Sequence, residues 1–151
     1  MIGLSHPKTS ANVGSVIRGA YNFGISGVYF TGQRYERAGT DTQKGVRHMP
    51  VTHVEDLQNV IPFGCVPVAV ELLAEAQSLV DYVHPERGFY IFGPEDGTLG
   101  KAITSWCRDI IYIPTKSCLN LAVTTQIVMY DRMAKAYRTQ ETTKENPSCT
   151  S

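Results

Sequence analysis

The chain has 151 residues, enough for one domain that buries roughly two thirds of its unfolded surface and too few for a second. Lys plus Arg and Asp plus Glu each number 14, so the formal net charge is zero. That balance excludes a grip on nucleic acid by bulk charge and leaves only a local patch for such a role.

The opening "MIGLS" is a short apolar run suited to a buried strand. Val13, Val16, Ile17, Ala20 and Tyr21 then recur at helical spacing, with Ser10 or Asn12 available to cap the start and Gly24 to end it. "GVYFTG" reads as a second strand. Residues 32–50 show no period and carry Arg34, Arg37, Lys44, Arg47 and His48 against Glu36 and Asp41, which predicts a basic loop. "VEDLQNVI" is expected as a short helix and "CVPVAVEL" as a strand covered on both faces. After a polar stretch come the strand "GFYIFG", a helix in "LGKAITSWC" and the strand "DIIYIP". A final helix spans about residues 119–137, with Leu121, Ile127, Val128, Met133 and Ala134 among its apolar positions. The alternation of strands and helices predicts an α/β domain over residues 1–138: a mostly parallel sheet with helices on both faces and ligands at the carboxyl ends of its strands. Residues 139–151 are polar and apolar-poor, the composition of a disordered tail.

Cys65, Cys107, Cys118 and Cys149 form no CxxC pair and no spacing with histidine that suggests zinc, which fits reduced thiols. The N-terminus lacks a secretory pattern and no apolar run is long enough to span a membrane, so a soluble cytoplasmic protein is expected. His6, His53 and His84 sit in no catalytic pattern.

"FGPEDGTLGKAI" raises the question of a phosphate loop, because Gly100-Lys101 follows a strand. The loop would need a glycine at Glu95 and a hydroxyl at Ala102; a carboxylate would repel polyphosphate and the usual magnesium ligand is missing. Three stretches in this order, "SANVGSVIRGAYNFG", "FGPEDGTL" and "IPTKSCLNLAVTTQIVMYD", instead resemble the signature motifs of the SpoU family of RNA ribose 2'-O-methyltransferases. The resemblance covers most of residues 1–138 and is to the minimal, single-domain members, among which are enzymes acting on the wobble ribose of transfer RNA. It implies a deep C-terminal trefoil knot, a homodimer, S-adenosylmethionine as methyl donor, RNA as partner with transfer RNA favoured over ribosomal RNA, and neither metal nor membrane. A noncatalytic binding protein on the same fold is the competing reading.

Carried over residue by residue, the resemblance makes Arg18, Asn12, Glu95 and Asn120 the catalytic group. Arg18 serves as a guanidinium fork for a neighbouring phosphate and developing alkoxide charge, because a guanidinium is a poor base. Asn12 and Asn120 could each also be a helix cap, and Glu95 an organiser of Arg18 or of its own turn. The donor-binding set is Val70, Glu71, Leu72, Gly93, Pro94, Glu95, Gly97, Ile113, Cys118, Leu119 and Leu121. Arg34, Arg37, Lys44, Arg47 and His48 form the phosphate-contacting patch. Ala122 departs from the family pattern, where serine is common, so no hydroxyl role is carried to that position.

Overall fold

The computed structural model describes residues 1–33 and 44–145. Its chain order is β1 (Ile2–Leu4), α1 (Ser10–Asn22), β2 (Val28–Phe30), β3 (Val51–His53), β4 (Val66–Val70), β5 (Gln77–Ser78), β6 (Gly88–Phe92), α2 (Lys101–Thr104), β7 (Asp109–Tyr112) and α3 (Leu121–Glu145), with 3-10 turns at Gly45–Arg47 and Gln58–Val60. The strands form a seven-stranded sheet in the order β3-β2-β1-β6-β4-β7-β5. All pairings in it are parallel, as the alternation of strands and helices predicts.

The period-2 alternation along each strand divides the core in two. Ile2, Leu4, Val28, Phe30, Val68, Tyr90, Phe92 and Ile111 point to one face, where they meet Val13, Val16, Ile17 and Ala20 of α1 and Leu121, Val128 and Met129 of α3. Ala69, Phe89 and Ile91 point to the other, against Leu57, Leu99, Ile103 and Trp106. Gly19 lets α1 and α3 approach closely, since a Cβ there would lie 3.0 Å from Gln126 Cγ. On the first face the cover is two long helices; on the second it is a 3-10 turn and a single α-helical turn.

That thin second layer is where the predicted helices are too long. In "VEDLQNVI" only Gln58–Val60 turns, because the Asp56 carboxylate accepts from Gln58 N at 2.9 Å and so offers the backbone a local alternative to helix. In "LGKAITSWC" the helix starts late, after Gly100 at φ 68°, and lasts one turn. Two strands escape the sequence pattern: β3, three residues behind Pro50, and β5, a polar two-residue edge. The terminal helix continues through residues 139–145, whose composition suits a tail; residues 146–151 lie outside the described set.

At the amino ends of the strands, α3 is locked to residues 79–86 by polar contacts. The His84 ring lies between Tyr90 Oη (2.7 Å) and Asp131 Oδ2 (2.8 Å), and Lys135 Nζ donates to the carbonyls of Leu79 and Tyr82. Burial pushes the His84 pKa below its ordinary value despite the Asp131 carboxylate. His84 is therefore a structural residue, remote from the carboxyl ends of the strands. Among the described residues, no helix is long and apolar enough to cross a membrane, and no three His, Cys, Asp or Glu side chains are grouped to hold a metal ion.

Candidate functional site

Every carboxyl end of a parallel strand leaves backbone groups facing one rim of the sheet, and the loops that follow β1, β6 and β7 converge there. Helix α1 begins on this rim. Its cap is Thr9, whose Oγ1 accepts from Asn12 N at 3.4 Å; neither Ser10 nor Asn12 takes that role. Its other end closes on Gly24 at φ 66°, with Ile25 N bonded to Ala20 O and Gly24 N to Tyr21 O, a Schellman closure.

With Thr9 as cap, the Asn12 side chain is free to reach outward, and it joins the three sequence motifs. Asn12 Nδ2 donates to Glu95 Oε1 at 2.7 Å, and Asn120 Nδ2 donates to Asn12 Oδ1 at 3.0 Å. Asn120 Oδ1 in turn accepts from Ala122 N at 2.9 Å and Val123 N at 3.3 Å, which makes Asn120 the cap of α3 as well. A backbone N–H can only donate and a carboxylate can only accept, so the direction of the chain is fixed at both ends and each amide has one orientation. Reversing a polarity in the middle sets acceptor against acceptor. Asn12→Asp is therefore expected to destabilise the fold more than Asn12→Ala, by about 1–2 kcal/mol in a denaturant titration, with two carboxylates meeting where one donor stood.

Glu95 collects the chain. Its Oε2 accepts from Lys8 N at 2.8 Å, and Oε1 from Thr9 N at 3.3 Å and Thr9 Oγ1 at 3.2 Å besides Asn12. Partial burial pushes its pKa up, but the bonds from Asn12, Lys8 and Thr9 outweigh this and hold it below the ordinary carboxylate value. Of the two roles open in the sequence, Glu95 takes the second: it organises the turn and the start of α1, and makes no bond to Arg18. Arg18 lies two turns into α1, exposed, with no ion pair among the described residues.

Beside Asn120 opens a cleft of about 400 Å³ lined by Val70, Glu71 and Leu72 after β4 and by Tyr112, Ile113, Thr115, Lys116, Ser117, Cys118, Leu119 and Thr124. Leu72 is 72% exposed at its wall. Six expected donor residues, Val70, Glu71, Leu72, Ile113, Cys118 and Leu119, thus come together. Gly93, Pro94, Glu95 and Gly97 form the adjoining turn instead of the lining. The turn folds tightly: a Cβ on Gly93 would lie 3.2 Å from Leu99 N, and that N–H donates to Glu71 Oε2 at 2.7 Å. Leu121 lies outside that lining and packs in the core at 6% exposure. Ala122 is equally buried, so a side chain there belongs to the α1–α3 packing.

Sequence reasoning misses Thr9, Tyr112, Thr115, Lys116, Ser117 and Thr124. Thr9 leaves a signal as a capping residue type before a helical run, and Thr115, Lys116, Ser117 and Thr124 lie within the third motif. Of the basic patch, Lys44, Arg47 and His48 are exposed around a 3-10 turn, and His48 stacks on Tyr21 of α1 with centroids 4.8 Å apart. This brings the patch against the helix that carries Arg18. Arg34 and Arg37 lie outside the described residues.

A wholly parallel sheet with an apolar cleft and a directed polar chain on its carboxyl rim defines an α/β protein built to hold a small ligand beside a polar surface. The profile of the SpoU rRNA methylase family matches residues 1–130, and the chain belongs to that family. Among curated proteins compared by sequence, none matches. Solved structures agree on the fold. The SpoU methyltransferase AviRb from Streptomyces viridochromogenes superposes with a TM-score of 0.80 at 18% identity, over 91% of this chain and 60% of that one. The A. aeolicus TrmH/SpoU tRNA modifying enzyme gives 0.80 at 19% identity, over 93% and 76%. A structure concerned with 2-OH methylation of C/U34 on tRNA gives 0.75 at 19% identity, over 90% and 89%. The chain thus spans about three fifths of AviRb, which has also been solved in complex with AdoMet.

Proposed function

We propose that this protein transfers a methyl group from S-adenosylmethionine to a ribose 2'-hydroxyl of RNA, with transfer RNA favoured over ribosomal RNA. The observation that carries the reading is the bonded chain Glu95–Asn12–Asn120, which ties all three family motifs together at the edge of the cleft. Likeness of fold to the structure concerned with 2-OH methylation of C/U34 on tRNA supports the choice of substrate.

The cleft fits the donor. Its volume lies within the ~300–1,000 Å³ of small-ligand sites, its walls are largely apolar, and exposed Leu72 and Leu119 offer surface for an adenosine to cover. Val70, Leu72, Ile113 and Leu119 would enclose the base, while Glu71 keeps its carboxylate on Leu72 N and Leu99 N and so holds the floor rigid. When bound, S-adenosylmethionine supplies an electrophilic methyl on a sulfonium. The chain's own contribution is to orient the ribose and stabilise charge. Arg18 binds a backbone phosphate with its guanidinium fork and stabilises negative charge developing on the 2'-oxygen. The 2'-hydroxyl proton leaves to a phosphate oxygen or water. Lys44, Arg47 and His48 hold the flanking RNA backbone. The homodimer, the trefoil knot and a cytoplasmic location belong to the same proposal.

The test is transfer of labelled methyl from S-adenosylmethionine to unmodified transfer RNA and, separately, to ribosomal RNA, with nuclease mapping of the product. A 2'-O-methylated nucleotide in the transfer RNA pool is the expected result. Donor binding without transfer to either pool would refute the enzymatic reading.

A further inference from the structure

His6 lies two residues beyond β1 in the left-handed region, at φ 48°, and is followed by Pro7. Non-glycine residues are uncommon there, although histidine is among the types that tolerate it best, and the ring of a following proline further restricts the residue before it. Such strain persists where the surroundings over-determine it, and it gathers at ligand sites. Here the surroundings do so. His6 N donates to Thr31 Oγ1 at 3.2 Å, and ring Nδ1 lies 3.2 Å from Ser5 Oγ and 3.3 Å from Thr31 Oγ1. Gly32, at φ 83°, passes so near that a Cβ on it would meet His6 Cα at 3.2 Å. Ser5 and Thr31 are 5% and 6% exposed, whereas His6 is on the surface. Two buried hydroxyls thus orient one exposed ring.

With its proton on Nε2 the ring can accept at Nδ1 from either hydroxyl, and Nε2 has no partner among the described residues. In the sheet, β1 lies between β2 and β6, so His6 sits on the β2 side of Glu95 while the cleft opens on the side of β4 and β7. Lys8 and Thr9, just beyond it, are the residues whose backbone holds Glu95.

We propose that His6 is a substrate-positioning residue whose Nε2–H donates to a phosphate or ribose oxygen of the RNA, on the flank of the site away from the methyl donor. The inference rests on the RNA methyltransferase reading above. It predicts a role in RNA engagement and none in donor binding.

Two variants separate function from fold. Glycine adopts φ near 48° freely, so His6→Gly keeps the backbone and removes the ring; asparagine tolerates the same conformation and restores an N–H donor. For transfer of labelled methyl to unmodified transfer RNA, His6→Gly is expected to raise the RNA KM about tenfold, the loss of one charge-assisted bond. Donor affinity should match the wild type, melting temperature should fall only slightly with the loss of the ring's bonds to Ser5 and Thr31, and His6→Asn should recover part of the KM. A wild-type KM in His6→Gly would overturn the proposal, as would a loss that travels with lower donor affinity. RNA affinity read in parallel by fluorescence anisotropy keeps the two readings apart. A wild type that binds transfer RNA without methylating it sinks the enzymatic reading alone, whereas undiminished affinity in His6→Gly sinks the His6 contact.

Discussion

Arg18→Ala is expected to lower methyl transfer about 10²–10³-fold, the range seen when one donor to a developing oxyanion is removed. Donor affinity, measured by calorimetry with S-adenosylmethionine, should not change. The separation follows from position: Arg18 stands on α1 outside the cleft lining, exposed and without an ion pair among the described residues, so its removal breaks no bond that shapes the cleft. For the same reason the fold should tolerate the change, with a stability shift within about ±0.5 kcal/mol as for a surface substitution. Arg18→Lys keeps the charge and loses the planar fork, and should fall between the two. A mutant that loses donor affinity yet turns over normally at saturating donor would remove Arg18 from the RNA side of the site.

Arg18 stands out in the sequence only through the motif around it, whereas the polar chain at the start of its helix leaves no trace there. The strands of the central sheet are legible because "CVPVAVEL" and "GFYIFG" are apolar on both faces, and helix α1 because Val13, Val16, Ile17 and Ala20 keep a helical period. β3 and β5 are not: a three-residue strand and a polar two-residue edge carry too few alternations to register, and their pairing with β2 and β7 is decided by neighbours distant in sequence. In the site, the residue types Asn12, Glu95 and Asn120 can be read, but their connection cannot. Each is 80 or more positions from its partner, |i−j| being 83 and 108, and no local rule pairs them. The cap shows the same limit. Thr9, Ser10 and Asn12 are all acceptable capping types, and only the demand of Glu95 for the Asn12 amide decides among them. His6 gives no signal at all, because positive φ on a histidine leaves no mark in composition.

Glu95→Ala should reduce transfer about 10²-fold, the cost of displacing a reacting group by roughly an ångström, and it should do so without touching the donor cleft. The carboxylate gathers Lys8 N, Thr9 N, Thr9 Oγ1 and Asn12 Nδ2, so its loss releases the start of α1 from the turn after β6 and leaves Asn12 without the acceptor that orients it. Glu95→Gln, ordinarily the mild replacement, should be nearly as damaging. Both carboxylate oxygens accept, and an amide must put an NH₂ on one of them, facing the N–H of Lys8 or the donors of Thr9 and Asn12. Stability should fall by about 1–2 kcal/mol in either variant at neutral pH, the net worth of charge-assisted bonds at a partly exposed site. The pH dependence identifies the cause. Because the folded pKa of Glu95 is depressed, the bonds stabilise the wild type fully above the unfolded value of 4.5, and that stabilisation fades as pH falls below 4.5 through the folded value. The stability gap between wild type and Glu95→Gln, followed by urea titration, should therefore stay constant from about pH 7 down to about pH 5 and narrow below that. A gap that persisted unchanged into acid would mean that Glu95 acts through packing, and its place as the acceptor that anchors the site would be lost.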